Sequence, residues 1–562
     1  MSVYWRRWKP YWPLAGVLLI YAIVIVVINP IREMAIIDDW AYFLTVRRLL
    51  ETGQYQWHEW AAPNMPFQIY FGALFARALG VSFSSLRLST LALMLVGFVS
   101  FYFLAREHRF SHSHAGLLAL LLLASPLILK FSFSFLTNIP FLSCSLLALW
   151  LYTRGLRFRN FWLMLVGSLA AAMAILTRQF GIVFVPALLF AWAIDKDRKQ
   201  LFPCLLAALI APTLASAWQL YVGLASPSWA AALSRNGVAK FMAQPDVVPE
   251  ILWRIAISLM YVSLFSLPLI IPAFVEIAAE LRDARGKPAT PRTRLNLILI
   301  LVPALFILAM LTYGVFGMGK YGIMPILPWN FVFVSQYWPR PLPSLLTLIM
   351  VIGGVLLARL FALRYLPSSD TQKLPPHELL LDFMAVGFFI QQLLFFYFRD
   401  EYLLPLIPYG LIVIARFLGE RLDRLRLAVV ICSLVLLGFS TLWARGYVEE
   451  TEAQWQAAEE LVAAGRDPFE IQASWEWSSY HGAFDYYLQY LRESPEQQSD
   501  NDLLAQYFDV WLPTRLANAS YLVGPLDAPP ENPQFEIVKT VPYQDILFRT
   551  RFVYVLRRVG AP

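Results

Sequence analysis

The sequence predicts a polytopic α-helical membrane protein that carries a small α/β domain near its C-terminal end. The 562 residues are 59% hydrophobic and only 15% charged, whereas ordinary soluble domains are about 45–50% apolar and about 25% charged. Apolar runs close to the length of a membrane span recur along the first 445 residues. Beyond them the long apolar runs stop and charged residues become denser.

Thirteen apolar segments are predicted to cross the membrane as helices, because the bilayer core offers no water to hydrogen-bond with an open backbone. The first segment follows a basic start, but it is too long for a signal peptide and lacks a small-residue cleavage site, which favours an uncleaved span. The predicted spans are residues 12–30, 85–104, 115–130, 137–153, 161–177, 180–194, 201–222, 252–274, 296–313, 343–362, 379–398, 402–418 and 427–444.

Short basic connections alternate with less basic ones between these spans, and short basic connections stay on the cytoplasmic side. The basic connections are "YWRRWK", "REHR", "RGLRFR", "DKDRK", "RDARGKPATPRTR" and "GERLDRLR". The net charge of +7 is therefore interpreted as an orientation signal, and we find no nucleic-acid-binding module. Residues 31–84, 223–251, 314–342 and 399–401, and everything after about 445, are predicted to face the non-cytoplasmic side.

The first of these outer connections holds two short segments that are predicted to be helices in the membrane interface. Residues 67–79, "FQIYFGALFARAL", are apolar but too short to span. The other helix is predicted to start at Asp38 or Asp39 and to end at Gly53, since Asp is a favoured N-cap and Gly a favoured C-terminal stop. Two successive aspartates beside the membrane favour a functional carboxylate, with helix capping as the alternative.

The chain is predicted to divide into a membrane domain, residues 1–445, and an extracytoplasmic α/β domain, residues 446–562. The segment "VEETEAQWQAAEELVAAG" has helical character, whereas four later segments have the composition of short strands. These four are "EIQASWEW", "SYLVG", "FEIVKTV" and "FVYVLRRV".

Several short motifs, taken together with their order, resemble the C-type glycosyltransferase (GT-C) superfamily, and in particular the group around dolichyl-phosphate-mannose protein mannosyltransferases and the lipid A aminoarabinose transferase. They are "DDWAY", "MPFQIYFGALFARALGVS", "TNIPF", "LTRQFG" and "FRDEYLLPLIPYG". The resemblance implies a membrane enzyme that moves a sugar from a polyprenyl-phosphate carrier to an acceptor hydroxyl with inversion. It also implies that the base is Asp38 or Asp39, and that Tyr42 and Tyr402 in the same motifs are candidate substrate-binding residues.

Such a reaction requires one base and cations that hold the phosphate, because a lipid phosphate leaves as a stabilised anion without an added acid. Arg178, Lys320 and Arg399 each stand alone at the outer end of a predicted span and are the candidate phosphate-binding residues. Snorkelling of these side chains to lipid headgroups is the alternative. Lys130 is a further, less favoured candidate.

The proposed chemistry requires no cofactor, although His58 and Glu59 in "QYQWHEW" are candidate ligands for a divalent metal in the first outer loop. An adjacent His and Glu would need further ligands from elsewhere in the chain. The stretch "LTNIPF" carries Asn138 where the resembled group commonly has Asp, so an acidic role at this position is missing.

The sequence is also compatible with two other functions. A secondary transporter or lipid-linked glycan flippase would also have many spans, but such proteins tend to contain internal repeats, and the sequence shows none. A polymerase or ligase of lipid-linked glycans would use a diphosphate-linked oligosaccharide instead. For the leading hypothesis we expect a multi-pass protein of a prokaryotic inner (plasma) membrane, with its site facing the periplasm or cell exterior. The expected acceptor is a glycan, lipid or protein.

Overall fold

The computed structural model of the chain describes residues 9–61, 65–225, 238–284, 291–316, 341–365, 375–395, 398–493, 519–525 and 534–560. Over these ranges the backbone is mainly helical. The helices are α1 Trp12–Ile28, α2 Asp39–Thr52, α3 Pro66–Leu79, α4 Phe83–Glu107, α5 His112–Ala124, α6 Pro126–Ser132, α7 Asn138–Phe158, α8 Phe161–Ile175, α9 Phe184–Ala193, α10 Arg198–Ala225, α11 Val247–Phe265, α12 Leu267–Ala284, α13 Pro291–Phe316, α14 Pro341–Tyr365, α15 Pro376–Leu394, α16 Leu406–Leu418, α17 Arg421–Ala463, α18 Trp475–Tyr480 and α19 Ala483–Glu493.

The apolar helices make the chain a polytopic membrane protein. Among the described residues, eight helices are long and apolar enough to cross a membrane, and the pair α5 and α6, bent by 68°, would make a ninth. Four shorter apolar helices also coincide with predicted spans: Trp12–Ile28, Phe161–Ile175, Gln179–Ala193 and Leu406–Leu418. The count of thirteen spans is not confirmed and stays a prediction. The segment predicted as one span at 252–274 contains two helices, α11 and α12, that meet at Ser266.

The two short helices of the first outer loop have nearly the predicted bounds. α2 ends at Gly53, whose φ of 72° lies in the left-handed region that glycine adopts without strain. α3 begins with Pro66, which is favoured in a first turn because its missing N–H would have no helical partner there. The expected cap is only partly present: Asp38 occupies the N-cap position of α2, but its side chain makes no capping hydrogen bond. The carboxylate of Asp38 is therefore available for another contact.

The C-terminal part of the chain contains a four-stranded sheet with the order β1-β2-β4-β3. β1 pairs with β2 in parallel, and the other two pairings are antiparallel. The strands are β1 Ile471–Gln472, β2 Tyr521–Pro525, β3 Phe535–Gln544 and β4 Thr550–Arg558. The segment "EIQASWEW" contributes only a two-residue strand, because the Ser474 hydroxyl accepts a hydrogen bond from the Trp477 N–H and starts α18 instead.

The helix α17 connects the apolar part of the chain to this sheet without a break. It is 43 residues long, about 65 Å at the usual helical rise. The domain boundary predicted at residue 445 therefore falls inside one helix, and the division into two domains stays a prediction. Arg32, which follows α1, forms ion pairs with Glu449 at 2.7 Å and with Glu452, so the second half of α17 is tied to the loop between α1 and α2.

Gly446 on α17 allows the turn between β3 and β4 to approach the helix closely. A Cβ atom at this position would lie 2.7 Å from the side chain and 3.0 Å from the backbone nitrogen of Ile546. We expect Gly446→Ala to lower the free energy of unfolding by about 1–3 kcal/mol, the usual cost of overpacking a filled contact. Gly438→Ala on the same helix is the matched control, since a Cβ there meets nothing within 4 Å. Denaturation of both variants in detergent measures the difference, and equal stability would show that the turn does not pack on α17.

Candidate active site

Asp39 is a buried carboxylate that holds the backbone of the first outer loop. It is 0% exposed, and its Oδ1 accepts a hydrogen bond from the Ile36 N–H at 2.7 Å. Its Oδ2 accepts hydrogen bonds from Arg87 Nη2 at 3.3 Å and from the Phe135 N–H at 3.4 Å. Burial raises the pKa of the Asp39 carboxyl, and the positive charge of Arg87 acts in the opposite direction. All of the contacts made by Asp39 are internal to the fold.

Arg87 on α4 pairs with Asp39 and also binds the backbone of the loop between α1 and α2. Its guanidinium donates hydrogen bonds to the carbonyl oxygens of Pro30 at 3.2 Å and of Arg32 at 2.8 Å, and also to that of Met34. A guanidinium has five N–H donors in a fixed plane, so one side chain can fix several carbonyls of a turning chain. The path from α1 to α2, and with it the direction of Asp38, is therefore set by Arg87 and Asp39.

Asp38 has a different environment from its neighbour. It is partly exposed, and its Oδ1 accepts a hydrogen bond from Trp475 Nε1 at 3.0 Å. Burial raises the pKa of Asp38, and the negative charge of Glu401 adds to this effect. Hydrogen bonds from Trp475 and Trp60 and the positive charge of Arg399 act in the opposite direction. Asp38 is therefore an ionisable group that faces charged residues of other outer connections.

Arg178 lies near the same tyrosine, Tyr42, as Asp38 does. It directly precedes a 3₁₀ helix at Gln179–Val183. Its Nε donates a hydrogen bond to Thr137 Oγ1 at 2.9 Å, and its Nη2 lies 3.8 Å from Glu401 Oε1. The guanidinium also lies 5.3 Å from the centre of the Tyr402 ring. These contacts fix one edge and one face of the guanidinium.

Four of the candidate residues from the sequence surround Asp38. The pKa of Tyr42 is raised by its burial first and then by the negative charge of Asp38, while the charge of Arg178 opposes the shift. Tyr402 lies close enough to Arg399, Arg178 and Asp38 for their charges to act on its hydroxyl. The structure thus brings together two tyrosines and two arginines that come from three connections, all of which the sequence predicts to lie on the non-cytoplasmic side. Lys320, the remaining phosphate-binding candidate, lies outside the described residues.

Sequence reasoning missed the residues that the C-terminal segment contributes to this site. Trp475 bonds to Asp38 across 437 positions of sequence, and no local pattern marks such a contact. Its ring also packs against Trp60 and Trp40, with ring centres 5.1 and 6.2 Å apart. The next residue, Glu476, accepts a hydrogen bond from the Tyr447 hydroxyl at 3.4 Å.

Lys130, which the sequence favoured less, also reaches this region. It lies on α6, directly after the sharp bend that follows α5. Its ammonium is 5.3 Å from the centre of the Tyr447 ring and 5.6 Å from that of Trp443. In the sequence, Lys130 is marked only as a lysine within an apolar run, three residues after Ser-Pro-Leu. The structure adds the bend and shows that the lysine side chain is buried.

His58 connects the first outer loop to α19. Its Nδ1 accepts a hydrogen bond from the Trp60 N–H at 3.2 Å, and its Nε2 lies 3.1 Å from Asp485 Oδ1. Both ring nitrogens therefore have neighbours within the protein. In the part of the chain that the structure describes, no group of three or more His, Cys, Asp or Glu side chains is arranged to hold a metal ion. A metal at His58 and Glu59 stays a prediction.

Residues 62–221 match the family model described as dolichyl-phosphate-mannose-protein mannosyltransferase. The chain resembles the GT-C glycosyltransferase superfamily. The resemblance drawn from the motifs is confirmed, and the match supports transfer of a lipid-linked sugar in general terms. No curated protein matches the chain.

Two solved structures are also similar to this chain. An archaeal oligosaccharyltransferase, AglB from Archaeoglobus fulgidus in complex with an inhibitory peptide and a dolichol-phosphate, has 14% identity and a TM-score of 0.46 over 92% of this chain and 70% of that one. ArnT from Cupriavidus metallidurans bound to undecaprenyl phosphate has 13% identity and a TM-score of 0.40 over 96% of this chain and 97% of that one. Both TM-scores lie below 0.5.

The different surroundings of the two aspartates predict different effects on stability. We expect Asp39→Asn to destabilise the fold by about 3 kcal/mol or more, because it leaves the Arg87 guanidinium buried without its counter-charge. Asp38→Asn keeps an acceptor for Trp475 at a partly exposed position, so its thermal midpoint in detergent should stay close to that of the wild type. Equal losses of stability in the two variants would contradict these separate assignments.

Proposed function

We propose that the protein is an inverting glycosyltransferase of the membrane that moves a sugar from a polyprenyl-phosphate carrier to an acceptor hydroxyl on the extracytoplasmic side. The observation that carries the proposal is the position of Asp38. It is a partly exposed carboxylate that accepts a directed hydrogen bond from Trp475 Nε1, and it faces Arg399 and the Arg178 region. One base opposite a group of cations is the arrangement that transfer from a lipid phosphate requires.

Asp38 is the proposed base. Its carboxylate takes the proton of the acceptor hydroxyl as the acceptor oxygen bonds to the anomeric carbon. The bond from that carbon to the phosphate oxygen breaks, and the phosphate leaves with the electron pair. Attack opposite the leaving group inverts the configuration of the sugar. Asp39 cannot act as the base without losing its hydrogen bonds to the loop backbone. We therefore propose that Asp39 positions Asp38.

Arg178 and Arg399 are the proposed phosphate-binding residues. Negative charge on the phosphate grows as the sugar leaves, and fixed donors aimed at that charge lower the barrier without reorganising during the reaction. Thr137, Glu401 and Tyr402 already orient the Arg178 guanidinium. Lys130 and Lys320 are further candidates for contacts with the phosphate.

The aromatic side chains around Asp38 fit a sugar substrate. Binding pockets for small molecules are largely apolar and aromatic, with a few polar groups that fix orientation. Tyr42, Tyr402, Trp60 and Trp475 supply such surfaces, and we propose Tyr42 and Tyr402 as substrate-binding residues. Since Trp475 belongs to the C-terminal segment, we propose that residues 446–562 form an extracytoplasmic domain that closes the site and contributes to acceptor selection. The proposed location is a prokaryotic inner membrane, with the site facing the periplasm or cell exterior.

Transfer activity of the full chain in lipid nanodiscs tests the proposal. The donors are undecaprenyl phosphates that carry a panel of hexoses, N-acetylhexosamines and pentoses, and release of undecaprenyl phosphate is measured with membrane extract as the source of acceptor. We expect at least one donor to be consumed and Asp38→Asn to lower its turnover about 100-fold or more, the usual range for a general base. Glu536→Gln, on the sheet, is the control. Full activity of Asp38→Asn would rule out the mechanism.

The hydrogen bond from Trp475 predicts a shift in the pH dependence of transfer. Asp38 must be ionised to act, so the rate falls as pH drops through the pKa of Asp38, which burial places above its ordinary value. Trp475→Phe keeps an aromatic ring but removes a donor that stabilises the ionised form, so the pKa rises further. We expect the acidic limb of kcat/KM to move up by about one to two pH units, since a hydrogen bond to a charged group contributes about 1.5–3 kcal/mol. An unchanged limb would show that this bond does not tune the base.

A further inference from the structure

The turn between β3 and β4, residues 545–549, presents two large apolar side chains to the surroundings of the protein. Leu547 is 60% exposed and Phe548 is 55% exposed. The residue before them, Ile546, packs against Gly446 of α17 instead, so the base of the turn is attached to the long helix. Adjacent exposed apolar side chains on an otherwise polar loop are typical of a surface that contacts a membrane or another protein.

Hydrogen bonds hold this turn in one conformation. Asp545 Oδ1 accepts hydrogen bonds from the N–H groups of Leu547 at 2.8 Å and of Arg549 at 3.0 Å. The Phe548 N–H donates to the Asp545 carbonyl oxygen at 3.0 Å. Phe548 has a φ of 58°, in the left-handed region that is unfavourable for a bulky side chain. The turn therefore fixes the direction in which its two apolar side chains point.

Helix α17 places the turn at the end of a segment that is suited to cross the membrane. Residues 427–444 contain no charged side chain. At the usual helical rise they cover about 27 Å, close to the thickness of about 30 Å of the hydrocarbon core. Arg445 is the next residue, and a Cβ atom at Gly446 would lie 2.7 Å from the side chain of Ile546. The turn is therefore located at the boundary between hydrocarbon and headgroups.

The turn also lies on the side of α17 that faces lipid. Leu427 and Arg445 are about five full helical turns apart, so they share one face of the helix. Leu427 is 72% exposed, and Leu434 on the same face is exposed as well. The Arg445 guanidinium lies 4.7 Å from the centre of the Phe548 ring, and its Nη2 donates to Gln544 Oε1 at 3.3 Å. The tip of the turn therefore projects over the lipid beside α17.

The charges around the tip are suited to lipid phosphates. Arg549 Nη2 lies 2.8 Å and Arg551 Nε 3.3 Å from the same carboxylate oxygen of Asp545. The Asp545 side chain is buried, whereas that of Arg549 is exposed. Two guanidinium groups thus share one buried carboxylate, which leaves a net positive charge at the surface. Basic groups next to inserted apolar side chains are a common feature of contacts with the membrane surface.

We propose that Leu547 and Phe548 insert into the membrane interface beside α17 and anchor the C-terminal sheet to the lipid surface. Aromatic and apolar side chains are stable at the level of the headgroups, where Arg549 can reach a phosphate. The anchor does not rest on the sugar-transfer reaction proposed above. It rests on the position of the turn at the end of an apolar helix segment, and this position favours lipid over a protein partner.

A spin label at Leu547 tests the anchor in the full chain. The protein carries Leu547→Cys with its native Cys144, Cys204 and Cys432 replaced by Ala, and it is placed in nanodiscs of phosphatidylethanolamine and phosphatidylglycerol. Collisions of the nitroxide with oxygen, which concentrates in lipid, are compared with collisions with a water-soluble nickel chelate. We expect the label at position 547 to favour oxygen.

Val538→Cys is the matched control on the same strand pair. Val538 is 51% exposed, and the next residue, Lys539, pairs with Glu460 of α17. Glu460 lies about 22 Å along the helix from Arg445, so a label at position 538 should favour the nickel chelate. A label at 547 that favours the nickel chelate overturns the anchor, and so does one that meets neither reagent, which would indicate a protein partner. Oxygen contact at both positions overturns the turn as the specific point of insertion.

A second pair of variants retains the native cysteines. Leu547→Glu places a charge at the interface, so we expect the amides of residues 545–551 to exchange with deuterium about tenfold faster in nanodiscs, since the turn loses a stabilising contact. Val538→Glu should leave these rates unchanged. Equal exchange in the two variants overturns the anchor. Because neither readout measures transfer, failure of the anchor leaves the proposed function standing, and failure of the function leaves the anchor standing.

Discussion

The buried pair of Arg87 and Asp39 is the interaction on which the rest of the site depends. Both side chains are 0% exposed, and an unpaired charge at such a position would cost several kcal/mol. The pair is tolerated because the two Nη atoms of Arg87 and both carboxylate oxygens of Asp39 also contact backbone groups of the loop between α1 and α2 and of the segment before α7. It thereby turns two outer connections into a fixed frame, and Asp38, the residue just before Asp39, is presented from that frame.

The C-terminal segment completes the frame from outside the apolar helices. Glu459 on α17 accepts hydrogen bonds from Trp477 Nε1 and from the His481 ring, both at 2.8 Å, which holds α18 on the end of the long helix. The contact of His58 with Asp485 then joins α19 to the first outer loop. Trp475 and Glu476 directly precede the first of these attachments. Asp38 is consequently held by the first outer loop, whereas Trp475, which affects its pKa, is held by the C-terminal segment. The site forms only when both parts of the chain are in place.

Much of the fold could be predicted because its signals are local. Apolar length marks the spans, and the bounds of α2 and α3 follow from Asp, Pro and Gly at their ends. The strand predicted at "EIQASWEW" was largely wrong, because β-type composition was overridden by the Ser474 cap, a single side-chain hydrogen bond. The two helices α11 and α12 were predicted as one span since hydropathy does not register a break between two apolar helices.

The site could be predicted only in part, for a similar reason. The sequence identified the aspartate pair and two of the arginines that surround Asp38, because isolated charges next to apolar runs stand out. It could not separate Asp38 from Asp39, since adjacent residues share every local property and differ here only in what the fold places beside them. Trp475 and Glu476 carry no local mark at all. Their importance arises from contacts between segments that are distant in sequence.

A structure of the full chain with undecaprenyl phosphate, determined by cryo-electron microscopy in nanodiscs, would show whether the phosphate binds at the arginines beside Asp38. We expect the phosphate to lie within hydrogen-bonding distance of Arg178 or Arg399, with the Asp38 carboxylate open toward the position of the sugar and Asp39 still bonded to Arg87. A phosphate bound at the other ends of the spans, or an Asp38 carboxylate turned away from the bound phosphate, would contradict it.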